Sequence, residues 1–137
     1  MIATIVKETM DGLAYMHKSE MIHRDIKAGN ILLNMKGEIF LSDFGVSATM
    51  KLGQKRDTLA GSPCWMAPEV MTKGGHDFKA DIWSLGITAI ELALGDAPNS
   101  TQNHMKVMKL IIEKPPPTLP EEEPWSEEFR NFVKACL

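Results

Sequence analysis

Residues 23–45 read HRDIKAGN-ILL-NMKGE-IFL-SDFG, and the order of polar and apolar residues in this stretch decides the local fold. Two short apolar runs, 31–33 and 39–41, flank a glycine-containing segment, which predicts a β-hairpin. In an antiparallel pair the residue before the first strand lies beside the residue after the second, so we expect Asn30 and Asp43 to meet. An isolated hairpin is only marginally stable, so this one must pack on other elements.

Helical periodicity surrounds the hairpin on both sides. Apolar residues recur at steps of three and four up to Lys18, which predicts one amphipathic helix. Residues 78–94 are apolar almost all round, as is typical of a buried helix, and Gly95 supplies its stop. Further helices are predicted at 102–113 and after Ser126, a good N-cap. A proline-rich acidic connector separates them. The helix at 102–113 should turn these residues inward: Met105, Met108, Ile111 and Ile112.

Length and composition limit the class of protein. The chain has 137 residues, of which 44% are hydrophobic and 24% charged, so it is a globular domain or part of one. The net charge of −3 argues against a nucleic-acid partner. No apolar run is long enough to span a bilayer and no signal peptide is visible, so we expect a cytoplasmic protein. Cys64 and Cys136 suit neither a disulfide framework nor a zinc site.

Several polar residues are expected to converge at the ends of the hairpin strands. Asn30 and Asp43 offer hard oxygen ligands of the kind that suit Mg²⁺. Asp25 lies in the loop before Asn30 and can face the same spot, and Lys27 can add a positive charge there. Each residue taken alone is weak evidence, since an isolated Asp is more often a cap or turn residue.

Three motifs follow one another in the order of the protein-kinase signature: His-Arg-Asp at 23–25 with Asn30, Asp-Phe-Gly at 43–45, and Ala-Pro-Glu at 67–69. Over nearly its whole length the chain resembles the large, C-terminal lobe of a eukaryotic protein kinase. The loop motif that contains Lys27 has the form seen in serine/threonine kinases. Three longer blocks are similar to the germinal-centre branch of the sterile-twenty group: 43–48, 61–70 and 80–92. The expected fold is therefore α+β, mainly α, with a short hairpin beside the catalytic loop.

The resemblance implies a role for each polar residue of this cluster. Asp25 would orient the substrate hydroxyl and accept its proton, while Asn30 and Asp43 would hold Mg²⁺ on the ATP phosphates. Lys27 would bind and neutralise the transferred phosphoryl group. The implied activity is transfer of the ATP γ-phosphate to serine or threonine hydroxyls of protein substrates, in intracellular signalling.

Asp81 is a charge within the helix predicted to be buried, where an unpaired carboxylate is costly. The resemblance implies its partners, the backbone amides of the His-Arg-Asp loop. Segment 43–69 resembles an activation loop. In it Thr58 would be phosphorylated by an upstream kinase or by the protein itself, and Arg24 would receive that phosphate.

Two further implications concern the substrate side of the site. Ser62 stands where the family carries a hydroxyl that contacts the catalytic Asp and Lys. Val46, after the Asp-Phe-Gly, would favour threonine over serine as the phosphate acceptor.

Some parts of the family pattern are missing from the sequence. No Gly-x-Gly-x-x-Gly occurs, so the loop that covers ATP phosphates is absent. Glu69 of Ala-Pro-Glu pairs in the family with an Arg beyond the last helix, and none of Arg24, Arg56 and Arg130 sits at that position. We therefore expect residues 1–137 to be a partial kinase domain without the small lobe and the final helices.

Three functions remain to be compared. The first is a serine/threonine kinase that is active only with the small lobe restored. The second is a catalytically inactive, truncated kinase-like lobe that acts as a protein-binding module. A Mg²⁺-dependent phosphohydrolase could use the same ligands, but it leaves the long loop and the buried Asp81 unexplained.

Overall fold

A computed structural model describes residues 1–49, 62–72 and 75–137, with no description of the Val46 side chain. Thr58, the predicted phosphorylation site, lies outside these residues. The helices are α1 Ile2–Lys18, α2 Pro68–Met71, α3 Lys79–Leu94, α4 His104–Glu113 and α5 Glu127–Cys136. The strands are β1 Met21–Ile22, β2 Ile31–Leu33, β3 Ile39–Leu41 and β4 Ala48–Thr49. Short 3₁₀ turns occupy Ala28–Asn30, Phe44–Val46 and Pro63–Trp65. The prediction of an α+β, mainly α fold is confirmed.

The predicted hairpin is present. Strands β2 and β3 pair antiparallel, with Ile31 opposite Leu41. Its turn is closed by Asn34, whose side chain accepts from the backbone N–H of Lys36 at 2.9 Å and of Glu38 at 3.0 Å. Gly37 adopts φ of 81°, a conformation that favours glycine.

A second ladder joins β1 to β4, with Met21 opposite Thr49. The sequence does not predict this pair, because strands of two residues are too short to display a period of two. Its effect is to tie the residues just before loop 23–30 to those just after the Asp-Phe-Gly segment.

Helix α3 forms the centre of the described structure. Leu85 and Ile90 are each 1% exposed, and Ala89 is fully buried. The helix ends at Gly95, whose φ of 92° is left-handed and whose N–H donates to the Glu91 carbonyl at 2.8 Å. Helices α1 and α5 pack against α3, so the buried-helix prediction is confirmed. Among the described residues three clusters pack around it: Val6, Ala89, Ile90, Leu119 and Val133 in the first, Leu13, Ile26 and Leu85 in the second, and Ile22, Ala67 and Ala80 in the third.

Helix α4 differs from the prediction at both its start and its inward face. Asn103 caps it by accepting from the Lys106 N–H at 2.9 Å, so the helix begins at His104. Val107 is its buried residue. Of the four residues predicted to face inward, Met108 and Ile111 are half-buried, whereas Met105 is 76% and Ile112 50% exposed. Periodicity identifies a helix, but how much of its apolar stripe is covered depends on the neighbouring elements.

The connector between α4 and α5 is held by a side chain of α5. The guanidinium of Arg130 donates to the carbonyls of Leu119 at 3.1 Å, Pro120 at 2.8 Å and Glu123 at 2.6 Å. Ser126 caps α5 as predicted, with its hydroxyl accepting from the Phe129 N–H at 3.3 Å. Among the described residues, no helix combines the length and the apolarity that crossing a bilayer requires.

The contact between α3 and α5 is close enough to be tested with one methyl group. A Cβ added at Gly86 would lie 2.7 Å from the Cys136 Cβ and 2.9 Å from a Leu137 methyl carbon. We expect Gly86→Ala to lower the free energy of unfolding by about 1–2 kcal/mol, because overpacking outweighs the gain in helix propensity. The urea midpoint measures the change.

Gly12→Ala in α1 is the matched control. Its added Cβ would meet the end of the flexible Leu41 side chain at 3.2 Å, which can move aside. This variant should be neutral or slightly stabilising. Equal stabilisation by both substitutions would contradict the close packing of α3 on α5.

Candidate active site

Three polar residues converge on the carboxylate of Asp25, a residue that is 8% exposed. Its Oδ1 accepts from the Ser62 hydroxyl at 2.8 Å and from the Ser62 backbone N–H at 3.0 Å. Its Oδ2 accepts from the Asn30 amide at 3.0 Å and lies 3.1 Å from the Lys27 ammonium. Lys27 also donates to the Ser62 hydroxyl at 2.8 Å. The structure thus brings Ser62, 37 residues away from Asp25 in the sequence, to the loop that carries Asp25, Lys27 and Asn30.

The shape of loop 23–30 comes from bonds within the loop. The Asn30 amide donates to the Asp25 carbonyl at 2.7 Å, and the Asp25 N–H donates to Nδ1 of His23 at 3.3 Å. Arg24 has φ of 71°, a left-handed conformation that is uncommon outside glycine. Such a backbone persists only where its surroundings hold it.

Asp81 provides that restraint from α3. Its side chain is fully buried; Oδ1 accepts from the Arg24 N–H at 2.8 Å, and Oδ2 accepts from the His23 N–H at 2.9 Å. His17 of α1 adds a third bond, from Nε2 to Oδ2 at 2.8 Å. Sequence reasoning missed His17, because no spacing signal links it to a residue 64 positions away.

The hairpin register sets Asn30 and Asp43 one residue apart across the strands. Ser42, not Asp43, is the residue opposite Asn30; its N–H and hydroxyl donate to the Asn30 carbonyl at 2.9 and 3.1 Å. Asp43 follows in a left-handed conformation, φ 59°, and its exposed carboxylate accepts from the Gly45 N–H at 3.4 Å. The predicted pairing of Asn30 with Asp43 is therefore shifted by one residue, and Ser42 takes the position that was expected for Asp43.

The donor set at this place fits Mg²⁺. The bonds from Asn30 to Asp25 use only Nδ2, which leaves the amide oxygen out of them. With the exposed Asp43 carboxylate it offers two hard oxygens, and Mg²⁺ is commonly held by one or two protein groups together with phosphates and waters. Among the described residues, no group of three or more His, Cys, Asp or Glu side chains is placed to hold a metal ion. A complete set of protein ligands is therefore not found in this part of the chain.

The electrostatics of the cluster favour an ionised Asp25. Partial burial raises the pKa of this carboxyl, but the hydrogen bonds from Ser62, Lys27 and Asn30 and the Lys27 charge outweigh burial. The net pKa of Asp25 therefore lies below its ordinary value.

The structure also describes three other arginine and glutamate residues that the sequence analysis considered: Glu69, Arg130 and Arg24. Glu69 sits in the first turn of α2, and no ion pair to its side chain occurs within residues 1–49, 62–72 and 75–137. Arg130 is bound to carbonyls of the connector instead. The backbone N–H of Arg24 is held by Asp81 at 2.8 Å.

We expect Asp81→Ala to destabilise the chain by at least about 2 kcal/mol, because the amides of His23 and Arg24 lose their acceptor. Urea unfolding measures the loss, and amide exchange should show deprotection at both residues. Asp96→Ala, at an exposed position beyond α3, is the matched control and should change stability by less than about 0.5 kcal/mol. An unchanged melting temperature for Asp81→Ala would contradict the anchoring role.

The lowered pKa of Asp25 predicts how the stability of the protein depends on pH. A carboxyl whose pKa is depressed by folding contributes stability above its unfolded pKa of about 3.9, and loses that contribution as the pH falls through the folded pKa. We expect the wild type to lose stability relative to Asp25→Asn between about pH 5 and pH 2.

Melting temperatures of both proteins across that interval measure the difference. Glu122→Gln, at an exposed position of the connector, is the control whose difference from wild type should stay flat. A pH-independent difference for Asp25→Asn would show that the site does not favour the ionised carboxyl.

Comparison with known proteins agrees with this geometry. The protein kinase domain model matches residues 1–137. Serine/threonine-protein kinase cst-1 of Caenorhabditis elegans is 51% identical over 137 residues, which cover 99% of this chain and 28% of cst-1. Serine/threonine-protein kinase fray2 of Dictyostelium discoideum is 51% identical, covering 99% of this chain and 14% of fray2. For serine/threonine-protein kinase 10 of Xenopus tropicalis the identity is 50%, with coverage of 99% and 15%.

These matches confirm the resemblance to serine/threonine kinases of the sterile-twenty group. The chain spans between 14% and 28% of the length of these relatives. Because the family model covers every residue and about half of them are identical to named serine/threonine kinases, the chain belongs to the protein kinase family.

Proposed function

We propose that residues 1–137 form the large-lobe portion of a serine/threonine kinase domain that transfers the ATP γ-phosphate to protein hydroxyls. The observation that carries this proposal is the convergence of Lys27, Asn30 and Ser62 on Asp25, at 2.8–3.1 Å. Phosphoryl transfer depends mainly on positioning and electrostatic stabilisation, and this cluster supplies both on the acceptor side.

Asp25 acts in this proposal as the residue that orients the acceptor hydroxyl. Its depressed pKa keeps it ionised near neutral pH, so it accepts a hydrogen bond from the hydroxyl and takes the proton as transfer proceeds. Lys27, 3.1 Å from that carboxylate, places a positive charge beside the reacting groups. Ser62 bonds both side chains and so fixes the distance between them.

Asn30 and Asp43 would hold Mg²⁺ through the Asn30 amide oxygen and the Asp43 carboxylate. Bound there with ATP, the ion would neutralise phosphate charge and align the γ-phosphoryl group. The backbone supports this role, because Ser42 joins Asn30 to the residue just before Asp43 through two hydrogen bonds to one carbonyl.

A small lobe would complete the nucleotide site. The chain has no glycine-rich phosphate loop, and the hairpin exposes Leu32 by 51%, Leu33 by 61% and Phe40 by 50%. Leu32 and Phe40 lie opposite each other in the ladder and share one face of the hairpin, whereas Leu33 is on the other face; exposed apolar side chains of this size mark a surface that another element covers. We therefore infer that the chain by itself does not transfer phosphate. The alternative, a non-catalytic module that binds proteins, would not explain why these polar side chains converge on Asp25.

Regulation and substrate choice follow from the family resemblance. We infer that Thr58 is phosphorylated by an upstream kinase or by the protein itself, with Arg24 receiving the phosphate, and that the protein works in cytoplasmic signalling. Val46 favours threonine acceptors. A peptide pair that differs only in the acceptor would reveal the preference, and faster transfer to serine would contradict it.

The test uses a chimera in which these 137 residues replace the matched segment of cst-1. Because cst-1 is named a serine/threonine-protein kinase, we expect the rest of cst-1 to supply the small lobe. We expect this chimera to transfer ³²P from labelled ATP to a protein substrate. Asp25→Asn should lower kcat by about 10²–10⁴-fold, because the acceptor hydroxyl loses its base. Asp11→Asn, exposed on α1, is the control and should leave kcat unchanged.

Two results would overturn the proposal. One is full activity of the Asp25→Asn chimera. The other is a chimera that folds and binds ATP but transfers no phosphate, which would favour the protein-binding module.

A further inference from the structure

Ser42 stands opposite Asn30 and directly before Asp43, the two residues of the proposed metal site, and the regular pairing of the hairpin ends at this point. Its N–H donates to the Asn30 carbonyl at 2.9 Å. In an unbroken antiparallel ladder the Asn30 N–H would return a bond to the Ser42 carbonyl. Here the Asn30 N–H donates to the Lys27 carbonyl at 3.0 Å instead. The Ser42 carbonyl is therefore left for another donor.

Two side chains take the place of that ladder bond. The Ser42 hydroxyl gives the Asn30 carbonyl a second hydrogen bond, at 3.1 Å. The Ser42 carbonyl lies 3.1 Å from Nε2 of His23. Because Nδ1 of this ring accepts from the Asp25 N–H, the hydrogen-bond network assigns the ring proton to Nε2, which donates to Ser42.

These bonds attach Ser42 to two residues that are themselves fixed. Asn30 is 6% exposed, and its amide donates to the Asp25 carbonyl at 2.7 Å and to the Asp25 carboxylate at 3.0 Å. His23 is fully buried, and its N–H donates to the Asp81 carboxylate at 2.9 Å. Ser42 is thus held by loop 23–30 at its N–H, its hydroxyl and its carbonyl.

The position of Asp43 depends on this attachment. Its φ of 59° is left-handed, and such a backbone persists in a residue other than glycine only where the neighbours hold it. The Asp43 carboxylate is exposed, and the bond that it accepts from the Gly45 N–H is long, at 3.4 Å. The backbone at Ser42 therefore sets where this carboxylate lies relative to Asn30.

We propose that Ser42 is a positioning residue for the Mg²⁺ ligands: its hydroxyl, bonded to the Asn30 carbonyl, sets the distance between the Asn30 amide oxygen and the Asp43 carboxylate. This inference rests on the proposed function and adds to it a residue that acts through the two ligand residues. Mg²⁺ demands near-ideal octahedral geometry, so a small displacement of one ligand lowers its affinity. Groups that orient metal ligands contribute to metal affinity for this reason.

The first experiment uses the 137-residue chain and needs no phosphoryl transfer. Titration with Mn²⁺, a paramagnetic replacement for Mg²⁺, should broaden the NMR signals of the Asn30 side-chain amide and the Asp43 backbone amide. Ser42→Ala should raise the Mn²⁺ concentration for half-maximal broadening by about 3- to 10-fold, because one hydrogen bond is lost. Ser42→Thr keeps the hydroxyl and should stay within about twofold of the wild type.

Ser47→Ala is the matched control. Ser47 is half-buried like Ser42, and its hydroxyl also donates to a carbonyl of loop 23–30, that of His23 at 3.3 Å. Because this bond goes to His23 and not to Asn30, the Mn²⁺ midpoint should stay at the wild-type value. The carbon shifts of Asp43, which report its backbone conformation, should change in Ser42→Ala alone.

Two NMR results would contradict the inference. Equal effects of Ser42→Ala and Ser47→Ala would show that the bond to the Asn30 carbonyl has no special role. Broadening in the wild type that spares both Asn30 and Asp43 would contradict the metal site on which the inference rests.

The second experiment measures the Mg²⁺ dependence of phosphoryl transfer in the cst-1 chimera at saturating ATP. Ser42→Ala should raise the Mg²⁺ concentration for half-maximal rate by about 3- to 10-fold and leave the rate at saturating Mg²⁺ within about threefold of the wild type. Ser42→Thr should restore the wild-type midpoint. A loss of folded protein would instead lower the rate by the same factor at every Mg²⁺ concentration.

The kinetic outcomes separate the role of Ser42 from the proposed function. An unchanged Mg²⁺ midpoint in Ser42→Ala, together with the loss expected in Asp25→Asn, would overturn the positioning role while the proposed function stands. Transfer that does not depend on Asp25 would instead count against the proposed function.

Discussion

The hydrogen bonds from the amides of His23 and Arg24 to the buried Asp81 carboxylate are the interaction on which the rest of the site depends. A carboxylate without water is tolerated only when donors surround it, and here three N–H groups from two segments do so. The same bonds hold Arg24 in its left-handed conformation. Asp25 therefore points at the Lys27–Ser62 pair because a charge inside α3 orders the backbone just before it.

Helix α3 contributes apolar side chains to the core and polar side chains to the site. Its apolar residues pack α1 and α5, and its polar residues project toward the site: Asp81, Ser84 and Glu91. An isolated polar side chain in such a helix would weaken the core. Each of these three instead accepts or donates a bond at one of the segments around Asp25. The core and the site thus share one element, so a change in the packing of α3 should reach the site without touching it.

Much of the fold could be predicted, because its elements have local signals. Periodicity located α1 and α3, turn chemistry located the hairpin, and Ser126 located the start of α5. The inward face of α4 was predicted only in part: Met108 and Ile111 are half-buried, but Met105 and Ile112 are exposed, because their exposure depends on which neighbours cover the helix. The β1–β4 pair, the His17–Asp81 bond and the bonds from Ala28 and Trp65 to Glu91 join distant segments and leave no periodic trace.

The sequence by itself determined which chemical groups are present and, through the order of its motifs, the kinase family. Local spacing suffices for this because Asp25, Lys27 and Asn30 lie within one loop, and Asp43 lies one hairpin away. Only the tertiary structure decided how these groups are held: that Ser62 occupies Oδ1 of Asp25, that Ser42 separates Asn30 from Asp43, and that Glu91 of α3 binds the Ala28 amide. The physical reason is that a hydrogen bond between remote segments depends on distances of a few tenths of an ångström. Those distances are set by the packing of whole helices, and residue spacing along the chain does not encode them.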